Sequence, residues 1–124
     1  MYNLQPDSRA HSYAIILICQ SPVRIPMAKK NKLNTIVSQI NVLPDFLSTK
    51  ALSTLFARNV KFTGTAGIKV EKLTEQTAII SLKNKKSVQN HIGSVHAVAS
   101  ILIAESATGY VVGMNIPDSS VPVI

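Results

Sequence analysis

Acidic residues are the scarce ingredient of this chain. Six Asp and Glu stand against 13 Lys and Arg, a formal net charge of +7 over 124 residues. So basic a surface draws polyanions from a distance. Yet no recognition motif of the nucleic-acid repertoire is present, and the few Phe and Tyr form no RNP-like run. Nucleic-acid binding is therefore kept only as the last of three readings. Cysteine is nearly absent: the single Cys19 excludes a disulfide framework within the chain, and no Cys/His spacing suggests a zinc site. The expectation is a reducing, cytoplasmic setting with no metal and no cofactor. A long hydrophobic run is missing too. "YAIILIC", Tyr13 to Cys19, falls far short of the roughly 18–20 apolar residues of a spanning helix. It also makes a poor signal peptide, with Asp7 in the flank and no small-residue cleavage site before Pro22 and Pro26. No membrane partner is expected.

The length suits one domain with a single core. Met27 opens "MAKKNKLNTIV", an ordinary soluble start, so residues 1–26 read as an extension without function, or a misassigned start, ahead of a domain over 27–124. Leu33, Ile36, Val37, Ile40 and Leu43 recur at helical spacing until Pro44. A second helix is expected over Leu47 to Ala57. From Val60 to Val70 apolar and polar residues alternate, which predicts an antiparallel strand with one wet face, weakened at Gly64 and Gly67. Thr77 to Lys83 reads as its hairpin partner. After the basic loop "KNKKSVQNHIGS", Ser94 is the expected N-cap of a helix from Val95 to Met114. That helix is apolar around its whole circumference and so has to be enclosed. "VPVI" at residues 121–124 reads as the start of another strand. One hairpin and a stub are too little sheet to enclose such a helix.

The most apolar segment, "NHIGSVHAVASILIAESATG", contains one of the few acids, Glu105. A buried carboxylate is costly unless paired or working. A desolvated glutamate can act as a general base on water or as a nucleophile, and backbone N–H groups at a helix start can stabilise an oxyanion. Ester or thioester hydrolysis uses that combination. No serine elbow or Cys/His pair competes, since Ser94 and Ser100 lack a G-x-S-x-G setting. His96 lies in the first turn, but at about 100° per residue it is opposite Glu105 on one helix. The two meet only if a second copy supplies one of them. Asn90 precedes them in the loop, free to orient a water or a carbonyl. The bland alternatives are a glutamate paired with a lysine at a subunit contact, a histidine bonding the helix start, and an asparagine shaping a turn.

This segment resembles the signature of hotdog-fold acyl-CoA thioesterases, in particular the phenylacetyl-CoA thioesterase-like branch and a related family of uncharacterised hotdog domains. Asn90, Gly93, His96 and Glu105 match its loop Asn, its G-x-x-H and the acid nine residues beyond in order and spacing. The likeness runs from about Phe46 to Ile124. It implies an α+β fold in which an antiparallel sheet wraps a long central helix, and a homodimer or tetramer with active sites at the subunit boundary. It further implies Glu105 as base or nucleophile, with Asn90 and His96 positioning the thioester or the water. Gly93 and the Ala97 amide would face the substrate, and Lys85 and Lys86 would meet the phosphates of an acyl-CoA. The active branch often has His-Gly-Gly where this chain has His96-Ala97-Val98, which removes the close backbone approach glycine permits. It also carries three or more strands after the helix, so the chain reads as a partial hotdog domain. A non-catalytic relative that binds acyl groups or only assembles is the second reading.

Overall fold

The computed structural model describes residues 14–20 and 31–120, with side chains in the first of these segments described at Ile18 and Gln20. In chain order the elements are β1 (Ala14–Gln20), α1 (Lys32–Ile40), α2 (Asp45–Asn59), α3 (Lys61–Ala66), β2 (Lys69–Leu73), β3 (Thr77–Lys83), a single 3-10 turn (Lys86–Val88) and α4 (Ala97–Asn115). The strands form one antiparallel sheet in the order β1-β3-β2. α4 packs on β3 and β1, and α2 on β2. The result is an α+β arrangement, a small antiparallel sheet with a long helix against it, consistent with an incomplete hotdog-like fold.

Period two places Ala78, Ile80 and Leu82 of β3 on one face, all fully buried, beside Val70 and Leu73 of β2. Against them α4 sets Leu102, Ile103, Ala107, Val111 and Met114. Val37, Leu52 and Phe56 close the core from α1 and α2. Burying each large aliphatic of this set stabilises the fold by about 1.5–3 kcal/mol. Phe56 stacks on Tyr110 with centroids 3.8 Å apart and planes 21° from parallel, joining α2 to α4. The outer edge of β2 is covered by α2. The Ser53 hydroxyl accepts from the Val70 amide at 3.0 Å, and the Thr49 hydroxyl donates to the Glu71 carbonyl at 3.4 Å.

One end of the core, where the start of α1 meets the end of α4, is tied by asparagines. Asn31 caps α1 by accepting from the Asn34 amide at 2.7 Å, while its Nδ2 donates to the Gly113 and Ile116 carbonyls at 2.6 and 2.5 Å. The Asn34 amide group donates to Glu75 Oε1 at 2.7 Å and to the Met114 carbonyl at 3.2 Å. The last carbonyls of α4, which no helical amide can reach, are satisfied this way.

Three expectations need correction. The alternating stretch from Val60 is not a strand as far as Ala66: it is α3, with Thr63 and Ala66 buried three residues apart. A helix this short leaves the same apolar positions as an alternating strand, and periodicity alone cannot separate them. Gly67 decides the matter, because its left-handed conformation (φ 70°, ψ 40°) ends the helix and its N–H bonds the Thr63 and Gly64 carbonyls. Only Lys69–Leu73 is extended, with a register break between Val70 and Lys72. Second, α4 is capped by His96 rather than Ser94, whose hydroxyl instead accepts from Asn90 Nδ2 at 2.9 Å. Third, the sheet takes in Ala14–Gln20, paired with β3 from Ala14↔Lys83 to Gln20↔Thr77, inside the segment set apart as an extension. Residues 121–124, the expected further strand, lie outside the described residues.

Candidate active-site groove at the start of the long helix

The loop before α4 is held by its own polar side chains. Asn90 Oδ1 accepts from the Ile92 and Ser94 amides, both at 3.1 Å, and Gly93 takes φ 80° to close the turn. A short bridge between Gln89 and Val95, with the His96 amide donating to the Val88 carbonyl at 2.8 Å, fixes the entry angle of the helix. His96 Nδ1 accepts from the Val98 amide at 3.1 Å, which leaves Nε2 as the face of the ring open to other partners.

Between this helix start and α3 lies a cavity of about 200 Å³, lined by Phe62, Thr65, Ala66, Ser87, Val88, Gln89, His96, Val98, Ala99 and Leu102. His96 is thus placed where a ligand would sit. Ser87, Gln89 and Thr65 add polar groups that the sequence reading did not single out; only a register for the loop and for α3 would have revealed them. Of the free amides at the helix tip, that of Val98 is taken by the His96 ring, and those of Ala99 and Ser100 reach the His96 carbonyl at 2.9 and 3.2 Å. Of the first four amides of α4, that of Ala97 is the one with no acceptor among the described residues.

The remaining predicted residues are spread around this groove. Asn90 and Gly93 shape the adjoining loop and do not line the cavity. Lys86 sits exposed in the 3-10 turn, and the ammonium of Lys85 rests against Gly67. Glu105 lies on the other side of the helix from His96, as their spacing requires. In the single chain it is exposed rather than buried, because the three strands leave that face of α4 uncovered. Its neighbours one and two turns away are Ile101, 65% exposed, Val98, 52%, and Val112, 48%. They form an apolar stripe in which Glu105 is the acid. α4 also has the length and apolarity of a membrane-crossing helix, but in this fold its other face carries the core.

Tyr110 completes the neighbourhood. Its hydroxyl is buried with no hydrogen-bond partner. Burial holds its pKa above the usual tyrosine value of 10.0; the hydroxyls of Thr63 and Ser106 work weakly against this, and the Glu105 carboxylate adds to it. Among the described residues no cluster of His, Cys, Asp or Glu could hold a metal ion.

No curated protein and no solved structure matches the chain. One family does: a domain of unknown function, DUF4442, over residues 48–124, which takes in α3, the β2–β3 hairpin, the groove and all of α4. As that match covers more than half of the sequence, the chain belongs to the DUF4442 family.

Proposed function

We propose that the protein is a thioester hydrolase of the acyl-CoA thioesterase type, acting as a homodimer in a cytoplasmic setting. The observation that carries this reading is a carboxylate, Glu105, set in an exposed apolar stripe on the same helix whose first turn lines a cavity. An apolar face of this kind is unstable in water and calls for cover. Covered by a second copy, Glu105 would be desolvated, the condition in which a carboxylate becomes an effective base. Its family is hotdog-like and thioesterase-related, which supports the same reading.

In the reaction, Glu105 of one copy takes a proton from a water whose oxygen attacks the thioester carbonyl. The oxyanion is held by the Ala97 amide at the helix tip of the other. The C–S bond then breaks, the sulfur takes the proton back from Glu105, and a free acid and a thiol leave. His96 Nε2 orients the carbonyl or the water, Asn90 and Gly93 hold the loop, and Lys85 and Lys86 meet the phosphates of the coenzyme. The test is hydrolysis of short-chain and aromatic acyl-CoAs by wild type and by Glu105→Gln. A loss of about 100-fold or more in kcat is expected for a base of this kind. Equal rates would remove Glu105 from the chemistry.

A specific observation favours the second reading, a non-catalytic acyl binder. With the Val98 amide occupied by His96, the tip offers one free donor where an oxyanion site normally has two or more. Acyl-CoA binding without turnover, unchanged by Glu105→Gln, is what that reading expects.

A further inference from the structure

On the far side of α3 from the proposed active groove, a second cavity of about 560 Å³ opens between α2 and the start of β2. Its lining includes Phe46, Lys50, Arg58, Gly64, Gly67 and Lys69. Three of the lining residues are cations and none is an acid. In a chain with twice as many basic as acidic residues some clustering is expected, but here the cations stand on two walls. Lys50 and Arg58 come from α2, and Lys69 from β2. The neighbouring acid on β2, Glu71, already accepts from the Ser81 hydroxyl at 2.5 Å.

The shape is set by the backbone. Gly64 lies so close to Ala57 that an added Cβ would come within 3.1 Å of its carbonyl oxygen, and Gly67 holds φ 70°. Small residues therefore let α3 pack closely on α2 at Ala57, and the Lys85 side chain lies over Gly67 at the edge of the cavity. The α2 wall repeats every four residues, Phe46, Lys50, Thr54, Arg58, so these four side chains share one helix face about 18 Å long. At one end of that face is Phe46, an aromatic ring 73% exposed to solvent. An exposed ring on the wall that also carries Lys50 and Arg58, facing Lys69 on the other, is an arrangement that can stack a base while neutralising its phosphates.

We infer that this groove is a binding site for a phosphorylated nucleoside, with the phosphates between Lys50, Arg58 and Lys69 and the base on Phe46. The volume suits one nucleotide rather than a chain of them. The inference is independent of the thioester reading, because none of its residues belongs to that site.

The test is calorimetric titration of the full chain with ADP, pyrophosphate and adenosine at low and moderate salt. ADP should bind more tightly than either fragment. Arg58→Gln and Lys69→Gln should each weaken it about tenfold and flatten its salt dependence. Phe46→Ala should weaken ADP and leave pyrophosphate unchanged. Glu105→Gln should leave ADP binding as it is, so loss of thioesterase activity and loss of nucleotide binding are read separately. Each of the four side chains is exposed or on the groove wall, and circular dichroism verifies that the variants remain folded. No ADP binding at millimolar concentration overturns the inference, as does ADP binding insensitive to Arg58 and Lys69. Indifference to Phe46 would leave a plain anion site, and much tighter binding of an oligonucleotide or an anionic vesicle would mean a macromolecular surface; either result also overturns it.

Discussion

Replacing Asn31 by Asp changes one amide to one carboxylate, and the structure predicts that this conservative exchange is among the more damaging in the chain. As an N-cap, Asp is as good as Asn, so a residue that only capped α1 would tolerate it. Asn31 does more. It is 5% exposed, and its Nδ2 donates to two carbonyls at the end of α4. Aspartate keeps the bond to the Asn34 amide, loses both donors, and sets a negative charge against carbonyl oxygens at the negative end of the helix dipole. Two carbonyls left unpaired at about 1 kcal/mol each, with a further 1 kcal/mol or so of repulsion, give a loss of about 3 kcal/mol. Asn31→Ala loses the cap, about 1 kcal/mol, and the same two bonds, so it should cost about as much. For a domain of this size that is a fall in Tm of about 10 °C. Urea titration followed by circular dichroism gives both values. An Asp variant as stable as wild type, with Ala destabilised, would show that Asn31 is a cap and nothing else, and that the tie between α1 and the end of α4 is not a real bond.

Other expectations are as direct. Ile101→Asp, on the exposed stripe of α4, should leave the stability of the single chain within about 0.5 kcal/mol yet convert a dimer to monomer in light scattering; a monomeric wild type refutes the proposed assembly. Tyr110→Phe removes a buried hydroxyl that has no partner, so it should be neutral or slightly stabilising at pH 7. Because burial raises the folded pKa above 10.0, the unfolded tyrosine ionises first, and wild type should lose stability as pH rises above about 10 through the folded value. The Phe variant should lack that increment, and matching alkaline melting curves would contradict the burial. Gly67→Ala and Gly93→Ala both strain a positive φ, by about 1 kcal/mol, but only at Gly67 does the new methyl collide with a side chain, that of Lys85. Gly67→Ala should be the worse, with part of the difference recovered in combination with Lys85→Ala.

Much of the scaffold was legible in residue spacing. The apolar positions from Leu33 to Ile40 and from Leu47 to Ala57 place α1 and α2, and Thr77 to Lys83 gives the bounds of β3, because long or cleanly periodic elements carry their own signature. α3 was hidden, since its six residues, with Phe62 and Ala66 apolar and Val60 just before them, satisfy two periods at once. β1 was hidden for another reason: an apolar run says that a segment wants cover, not which strand supplies it, and its pairing with β3 joins residues far apart in sequence. Of the site, Gly93-Ser94 located the helix start within two residues, Val95 against Ala97. Its cap was missed because a histidine ring rarely does what Ser94 would do more commonly. The exposure of Glu105 could not be read at all, as it depends on which face of α4 the strands reach.

The way α2 closes off β2 gives the sheet a direction of growth. With Ser53 and Thr49 occupying backbone groups that another strand would need, nothing can be zipped on beyond β2 without first prising a helix away. Among the described residues the opposite border, Ala14–Gln20, is where an incoming strand can add, whether it comes from further along the polypeptide or from a neighbouring molecule. Anything that widens this sheet, including unwanted aggregation, should therefore begin at β1 and spread from there.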